Sequence, residues 1–250
     1  MKRRNFVAAS AAIGASTISA SAIDSISSAV GENELYEIRT YELSFGGNRN
    51  SLMSYLKDLV IPTCKYAGAN HAMMFKEVGD QEPNKIWVFI SYPNMATYHK
   101  ALVAQTSDAF VLNGKDHADA GKTYNRYVSS LSTAFDGFPQ MKAPSDEKTL
   151  FELRIYEGPN DDAVRRKVMM FDDEEIALFN KVGMGSVFFG KMVIGPYMPC
   201  LVYMLAHDDM AGRGAAWTRF VKSEEWDAMK GLPKYANTIS NIQKIFLEKV

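Results

Sequence analysis

A phrase of eight residues occurs twice in this chain, and it constrains the fold more than any other feature. Leu35-Tyr36-Glu37-Ile38-Arg39-Thr40-Tyr41-Glu42 returns as Leu150-Phe151-Glu152-Leu153-Arg154-Ile155-Tyr156-Glu157, 115 residues later, with five of eight positions identical. The same offset reappears further on. Asn94-Met95-Ala96 answers to Asp209-Met210-Ala211, Thr123 to Thr238 and Leu131 to Phe246. A one-residue slip separates Ser107-Asp108-x-Phe110 from Ser223-Glu224-x-Trp226. Phase kept over a whole copy argues for duplication of one module, and two copies are too few for a solenoid.

Each copy reads as the same order of elements. The phrase alternates as a strand does, with Tyr36, Ile38 and Thr40 on one side and Glu37, Arg39 and Tyr41 on the other. Gly46-Gly47-Asn48 turns into a helix near Ser51, which Pro62 is expected to interrupt. His71 to Val78 and Ile86 to Ile90 read as strands, the second apolar enough to be covered on both faces. Asn94 caps a second helix that presents Ala101, Leu102 and Val103, and Tyr124 to Leu131 is a closing strand. In the second copy, Leu150 to Glu157 is a strand, and Asp161 or Asp162 is expected to cap a helix from Ala163 that breaks near Phe171. Val187 to Phe189 and Leu201 to Leu205 pair through Gly195-Pro196. Asp209 caps a helix with Trp217, Phe220 and Trp226, and Thr238 to Phe246 ends the chain. This is β-α-β-β-α-β twice, the ferredoxin-like split unit. One face of each four-stranded sheet is left uncovered by helices, and two such faces can close on each other as a barrel. The expected fold class is α+β, two tandem ferredoxin-like domains forming a fused dimeric α/β-barrel, over residues 34–135 and 148–250 with a linker at 136–147. Pairing of each copy with another chain, as a homo-oligomer, is the competing arrangement.

The opening residues read as targeting. Lys2-Arg3-Arg4 precedes Phe6-Val7 and a small-residue run to Ala20-Ser21-Ala22, which fits a twin-arginine export signal over 1–22 and a lead-in over 23–33. A basic tail is the alternative. The expected location is therefore periplasmic or otherwise outside the cytoplasm. The run is too short and Ser-rich to span a bilayer, and no other span is expected in the mature chain. With a net charge of −1 in 250 residues and no long basic stretch, nothing suggests a nucleic-acid partner. Cys64 and Cys200 sit at non-equivalent places, and free buried thiols are favoured over a disulfide.

The strand phrase, its echo, and Trp217-x-x-Phe220 with Glu225-Trp226 resemble the NIPSNAP family of the dimeric α/β-barrel superfamily, over nearly all of residues 34–248. The first copy departs from the helix motif, with Leu102 and Val111 where the offset would put the tryptophans. The resemblance implies a fold and leaves activity open, since the family has no settled one. Its superfamily includes cofactor-free monooxygenases, small isomerases and haem enzymes.

Candidate chemistry sits on the polar side of the phrase. Were Tyr36 and Ile38 packed beneath the helices, two carboxylates, two guanidiniums and two phenols would converge inside the barrel. Glu37, Tyr41, Glu152 and Tyr156 are then candidate catalytic groups, and Arg39 and Arg154 candidate substrate anchors for a small anionic or carbonyl compound. The alternative is that Glu-x-Arg pairs satisfy each other across strands. A cofactor-independent monooxygenase or isomerase, a non-catalytic ligand-binding or scaffold module, and a haem protein are the readings this leaves. No cofactor is predicted. Haem would need one of His71, His99, His117 or His207, none of which has metal-ligand spacing. Asp172-Asp173-Glu174-Glu175 reads as a solvated helix start, and Gly183 as a helix-to-strand turn.

Overall fold

The computed structural model describes residues 33–79, 82–114 and 124–250. The export segment, most of the lead-in, Thr123 and His117 lie outside the described residues. Strands β1 (Leu35–Leu43), β2 (His71–Glu77), β3 (Lys85–Tyr92) and β4 (Tyr124–Ala134) belong to the first copy. β5 (Leu150–Glu157), β6 (Gly185–Ile194), β7 (Cys200–His207) and β8 (Asn241–Lys249) belong to the second. They form a closed barrel in the order β1-β3-β2-β8-β5-β7-β6-β4, with every pairing antiparallel. The two copies therefore meet at two seams, β2 with β8 and β4 with β6. Closure removes the exposed sheet edges that two separate sheets would carry.

Helix α1 covers 49–67 and α4 covers 161–181. The second helices are α2 (Met95–Ala104) and α5 (Met210–Val221), followed by the short α3 (Asp108–Asn113) and α6 (Glu224–Lys230). Their starts are fixed by side-chain caps. Asn94, Asp209, Ser107 and Ser223 each accept a backbone N–H three residues on, as the slip in the repeat requires. In α4 the cap is Asn160, not Asp161 or Asp162, which form its first turn. Asn160 is extended (φ −167°), the backbone a cap needs, so the helix begins two residues earlier than expected.

Both long helices contain a π-helical turn, Leu56–Val60 in α1 and Phe171–Glu175 in α4, again 115 residues apart. Pro62 is not its cause, because the second copy has Ala177 there and the same turn. Pro62 sits in the first turn of the segment that follows, where its missing N–H is tolerated. The π turn has a geometric result. Eight residues of plain α-helix leave two side chains about 80° apart; one extra residue in a turn brings them to within about 20°. Leu52 and Val60 are thereby both buried in α1, and Lys167 and Glu175 in α4. Lys167 Nζ donates to Glu175 Oε2 at 2.6 Å. This corrects the reading of the acidic run as a solvated helix start. Asp172 accepts from Gly137 N, and Asp173 and Glu174 from Tyr235.

The core has three layers. One lies between the first sheet and its helices and includes Tyr41, Leu52, Cys64, Val88 and Tyr92. A second lies between the other sheet and its helices, around Phe171, Phe179, Tyr203 and Phe220. Between them, inside the barrel, are Tyr36, Ile38, Phe89, Leu153, Phe188 and Cys200, drawn from both copies. Cys64 and Cys200 are free and buried, in different layers. Leu102 and Val103 are exposed, so α2 rests on Ala101 alone among the three residues expected to anchor it.

Candidate functional site

The strand phrase alternates as expected but faces the other way. Tyr36, Ile38, Phe151, Leu153 and Ile155 point into the barrel, while Tyr41 and Tyr156 belong to the layers beneath the helices. Glu37, Arg39, Glu152 and Arg154 share the side of their tyrosines. The six polar groups therefore do not converge on one axis; they form two separate clusters, one under each helical layer. The physical reason is that both faces of these strands are buried, so alternation gives two sides without saying which meets the helices. The more apolar side takes the barrel interior, where a ring of strands offers few partners for a buried charge.

In the first cluster Arg39 donates to both oxygens of Glu37, from Nε at 2.7 Å and Nη2 at 3.0 Å. Tyr92 and Ser129 add hydroxyl donors to the same carboxylate at 3.0 and 2.7 Å. Arg39 Nη1 reaches Gln105 at the end of α2, 2.6 Å away. In the second cluster Glu152 accepts from Arg154 Nη1 at 2.8 Å, from the Nε and Nη2 fork of Arg213 at 2.9 and 2.7 Å, and from the indole of Trp217 at 2.8 Å. His207 Nε2 lies 3.6 Å from Glu152 Oε2, beyond hydrogen-bond length. Burial by itself would raise the Glu152 pKa. The neighbouring His207, the Arg213 fork, the Arg154 charge and the Trp217 indole outweigh it and hold the carboxyl well below its ordinary 4.5. Burial pushes the phenols of Tyr41 and Tyr156 up, so both are neutral at physiological pH. Tyr203 donates to the Tyr156 hydroxyl at 2.8 Å, and Arg154 lies over the Trp217 ring at 4.3 Å. Both carboxylates are thus buried and surrounded by donors.

The barrel interior is filled at one end and hollow at the other. Towards the starts of β1 and β5, five rings with no exposure, Tyr36, Phe75, Phe89, Phe151 and Phe188, pack against one another at 4.8 to 5.7 Å between centroids. Towards the ends of the same strands is a cavity of about 260 Å³. Ile38, Trp87 and Val128 line it from the first copy, and Leu153, Ile155 and Val202 from the second. Thr40 and Ser130 add hydroxyls, and Glu42, Lys85 and Arg126 form its rim. β4 pairs with β6 only from Leu131 onward, so its first half is not joined to β6. Val128, on the inward side of β4, is 47% exposed there. The β6–β7 hairpin faces this opening with Pro196 and Tyr197. Tyr197 holds φ +67°, a left-handed conformation that costs a side-chain-bearing residue about 1–3 kcal/mol and is found disproportionately at ligand clamps.

None of Glu37, Arg39, Tyr41, Glu152, Arg154 or Tyr156 lines this cavity. The residues that do were within reach of the sequence: Ile38, Thr40 and Glu42 are the other side of the same phrase. What the sequence lacked was a signal for which side encloses space. His71 begins β2, His99 is on α2 and His207 is buried beside Glu152. Among the described residues, no group of three or more His, Cys, Asp or Glu is placed to hold a metal ion. No helix among them is long and apolar enough to cross a membrane.

The fold is a dimeric α/β-barrel, with both halves of the barrel in one chain. The family model described as NIPSNAP matches residues 151–250, so the resemblance read from the strand phrase is shown in the second copy. Among solved structures, a provisionally assigned monooxygenase of Fusobacterium nucleatum aligns over 87% of this chain and 92% of its own, with 7% identity and a TM-score of 0.58. Another from Lactobacillus acidophilus aligns over 87% and 94%, with 9% identity and a TM-score of 0.55. At these identities the likeness is one of fold. A NIPSNAP-like domain protein of Burkholderia xenovorans aligns over 40% of this chain and 84% of its own, at 21% identity and a TM-score of 0.37. No curated protein matches the chain significantly in sequence.

Proposed function

We propose that this protein binds a small, mainly apolar molecule with a carbonyl or anionic group in the cavity at the joint between its copies. The observation that carries this reading is the half-filled barrel: an aromatic plug at one end and a cavity with a polar rim at the other. Its volume equals the share of about nine waters in the liquid, small for a ligand pocket but sufficient for a single ring. The walls are apolar, and the polar groups they present, the Thr40 and Ser130 hydroxyls and the rim charges, are recognition groups. The NIPSNAP match and the neighbours' provisional names support the handling of a small molecule, by binding or transformation. In this reading the buried Glu-Arg-Tyr sets serve by fastening helices to sheets. The Arg3-Arg4 segment would deliver the protein outside the cytoplasm.

Cyclohexanone, a small carbonyl compound, tests the reading. Titrated into the protein, it is expected to give a saturable change in tryptophan emission that disappears in Trp87→Phe. Val202→Phe fills the cavity and is expected to abolish binding while the circular dichroism spectrum stays native. Unchanged binding in a folded Val202→Phe protein would sink the proposal.

A further inference from the structure

We infer that the ligand of this cavity is an amphipathic monocarboxylate, its carboxylate held at the rim by Arg126 and Lys85; the inference rests on the cavity being the binding site. Glu42 near the end of β1 is flanked across the sheet by Lys85 on β3 and Arg126 on β4. All three line the cavity, two cations to one anion. The carboxylate of Glu42 is already matched: both its oxygens accept from Arg126, at 2.9 and 3.0 Å. Both bonds come from the single nitrogen Nη2. The Nε and Nη1 donors of this exposed guanidinium make no hydrogen bond to the described residues, and each can give a carboxylate one charge-assisted bond. Lys85 Nζ is 3.7 Å from Glu77 Oε1, outside hydrogen-bond length, and Glu77 already accepts the Trp87 indole at 2.9 Å. The Lys85 ammonium and the Arg126 guanidinium thus flank Glu42 at the rim of an apolar cavity.

The second copy shows that this is not a property of the repeat. Glu157, 115 residues after Glu42, is flanked by Cys200 and Asn241 instead of Lys85 and Arg126. It is satisfied by the amides of Asn241 and Gln243 at 2.9 and 2.7 Å. Cationic recognition is therefore confined to one side of the mouth, which orients the ligand: carboxylate toward β3 and β4 of the first copy, apolar body between Leu153, Ile155 and Val202.

Phenylacetate and phenylacetamide are nearly equal in size and differ in charge. Binding is read from the methyl resonance of Met192, which lines the cavity, in protein labelled with [13C-methyl]methionine and assigned by Met192→Leu. Phenylacetate is expected to bind about tenfold more tightly than the amide at neutral pH, the scale of one charge-assisted contact. Arg126→Gln with Lys85→Gln is expected to erase that preference, bringing the acid's affinity to the level of the amide's. The Lys85 side chain is 36% exposed and that of Arg126 68%, so the variants are expected to retain the fold, checked by circular dichroism. Equal binding of acid and amide to the native protein overturns the carboxylate assignment and leaves the cavity reading standing. If neither compound moves Met192, both fall. A preference that survives the double substitution overturns the assignment to Arg126 and Lys85.

Discussion

Beneath its helices the first copy ties Glu37 to strands, whereas the second ties Glu152 to a helix. The donors to Glu37 come from β1, β3 and β4; Arg39 reaches the helical layer through Gln105, and Tyr92 through a ring contact with Tyr98 of α2. Glu152 takes three of its four hydrogen bonds from Arg213 and Trp217 of α5. At the offset of 115, Tyr98 stands where Arg213 does and Leu102 where Trp217 does. The difference teaches what the repeated phrase is for. Its Glu-Arg pair is a fixed ionic base on the sheet, and what the helix adds to it varies between copies. An anchor tolerates that variation as long as every buried charge keeps a partner.

The largest effect that tests this contrast is loss of charge at each glutamate. Glu152→Gln leaves two guanidiniums without their counter-charge. It is expected at the upper end of the roughly 3–5 kcal/mol that breaking a buried pair costs, and Glu37→Gln at the lower end. Equal losses in urea unfolding would break the comparison. The pH dependence has a definite sign. The folded-state pKa of Glu152 is depressed, so its stabilisation is complete above the ordinary value of 4.5 and is lost as pH falls below it towards the folded value. Glu152→Gln is expected to flatten the stability profile in that acid range.

The next contrast lies on the long helices. The Lys167–Glu175 pair in α4 occupies the positions of Leu52 and Val60 in α1, so one fold has solved the same site twice. The aliphatic solution needs no desolvation of charge. The ionic one is eased by the Phe171 ring, 4.8 Å from Lys167 Nζ, and by Met170 Sδ at 3.2 Å. Lys167→Leu alone strands a buried carboxylate and is expected to cost about 3–5 kcal/mol. Adding Glu175→Val copies the first half. It is expected to restore native stability or exceed it by about 1–4 kcal/mol, measured as a double-mutant cycle.

Element order and the Asn94 and Asp209 caps were legible because they rest on local signals, alternation, side-chain caps and an offset that repeats, and barrel closure followed from two sheet faces left uncovered; the cap of α4 was misplaced by one or two residues. Leu150 to Glu157 spans β5 as the structure has it. The facing of the phrase was not legible, because strands buried on both sides carry no polar-out marker to break the tie. Glu175 was misread for a related reason. A run of carboxylates looks solvated unless one knows that a π turn rotates a single member inward against Lys167. The cavity was hidden because empty volume depends on how side chains from opposite strands meet, here Ile38 and Trp87 against Leu153 and Val202.

The smallest contrast sits where each long helix stops. Gly68 has φ +112° and Gly183 has φ +80°, equivalent positions that both end the helix in a left-handed residue. Alanine at either is expected to cost about 1–2 kcal/mol from backbone strain alone. The surroundings then separate them. A Cβ on Gly68 would meet Thr97 Cγ2 at 3.1 Å, a β-branched side chain fixed in the first turn of α2. On Gly183 the nearest atom is Arg219 Nη2 at 3.6 Å, an ordinary contact with the end of a long side chain. Arg219 already donates twice to Val182 O, at 3.1 and 2.7 Å, and can keep those bonds without shifting. Gly68→Ala is therefore expected to lower the unfolding midpoint more than Gly183→Ala. The reverse order would mean that Arg219, rather than the glycine, sets the end of α4.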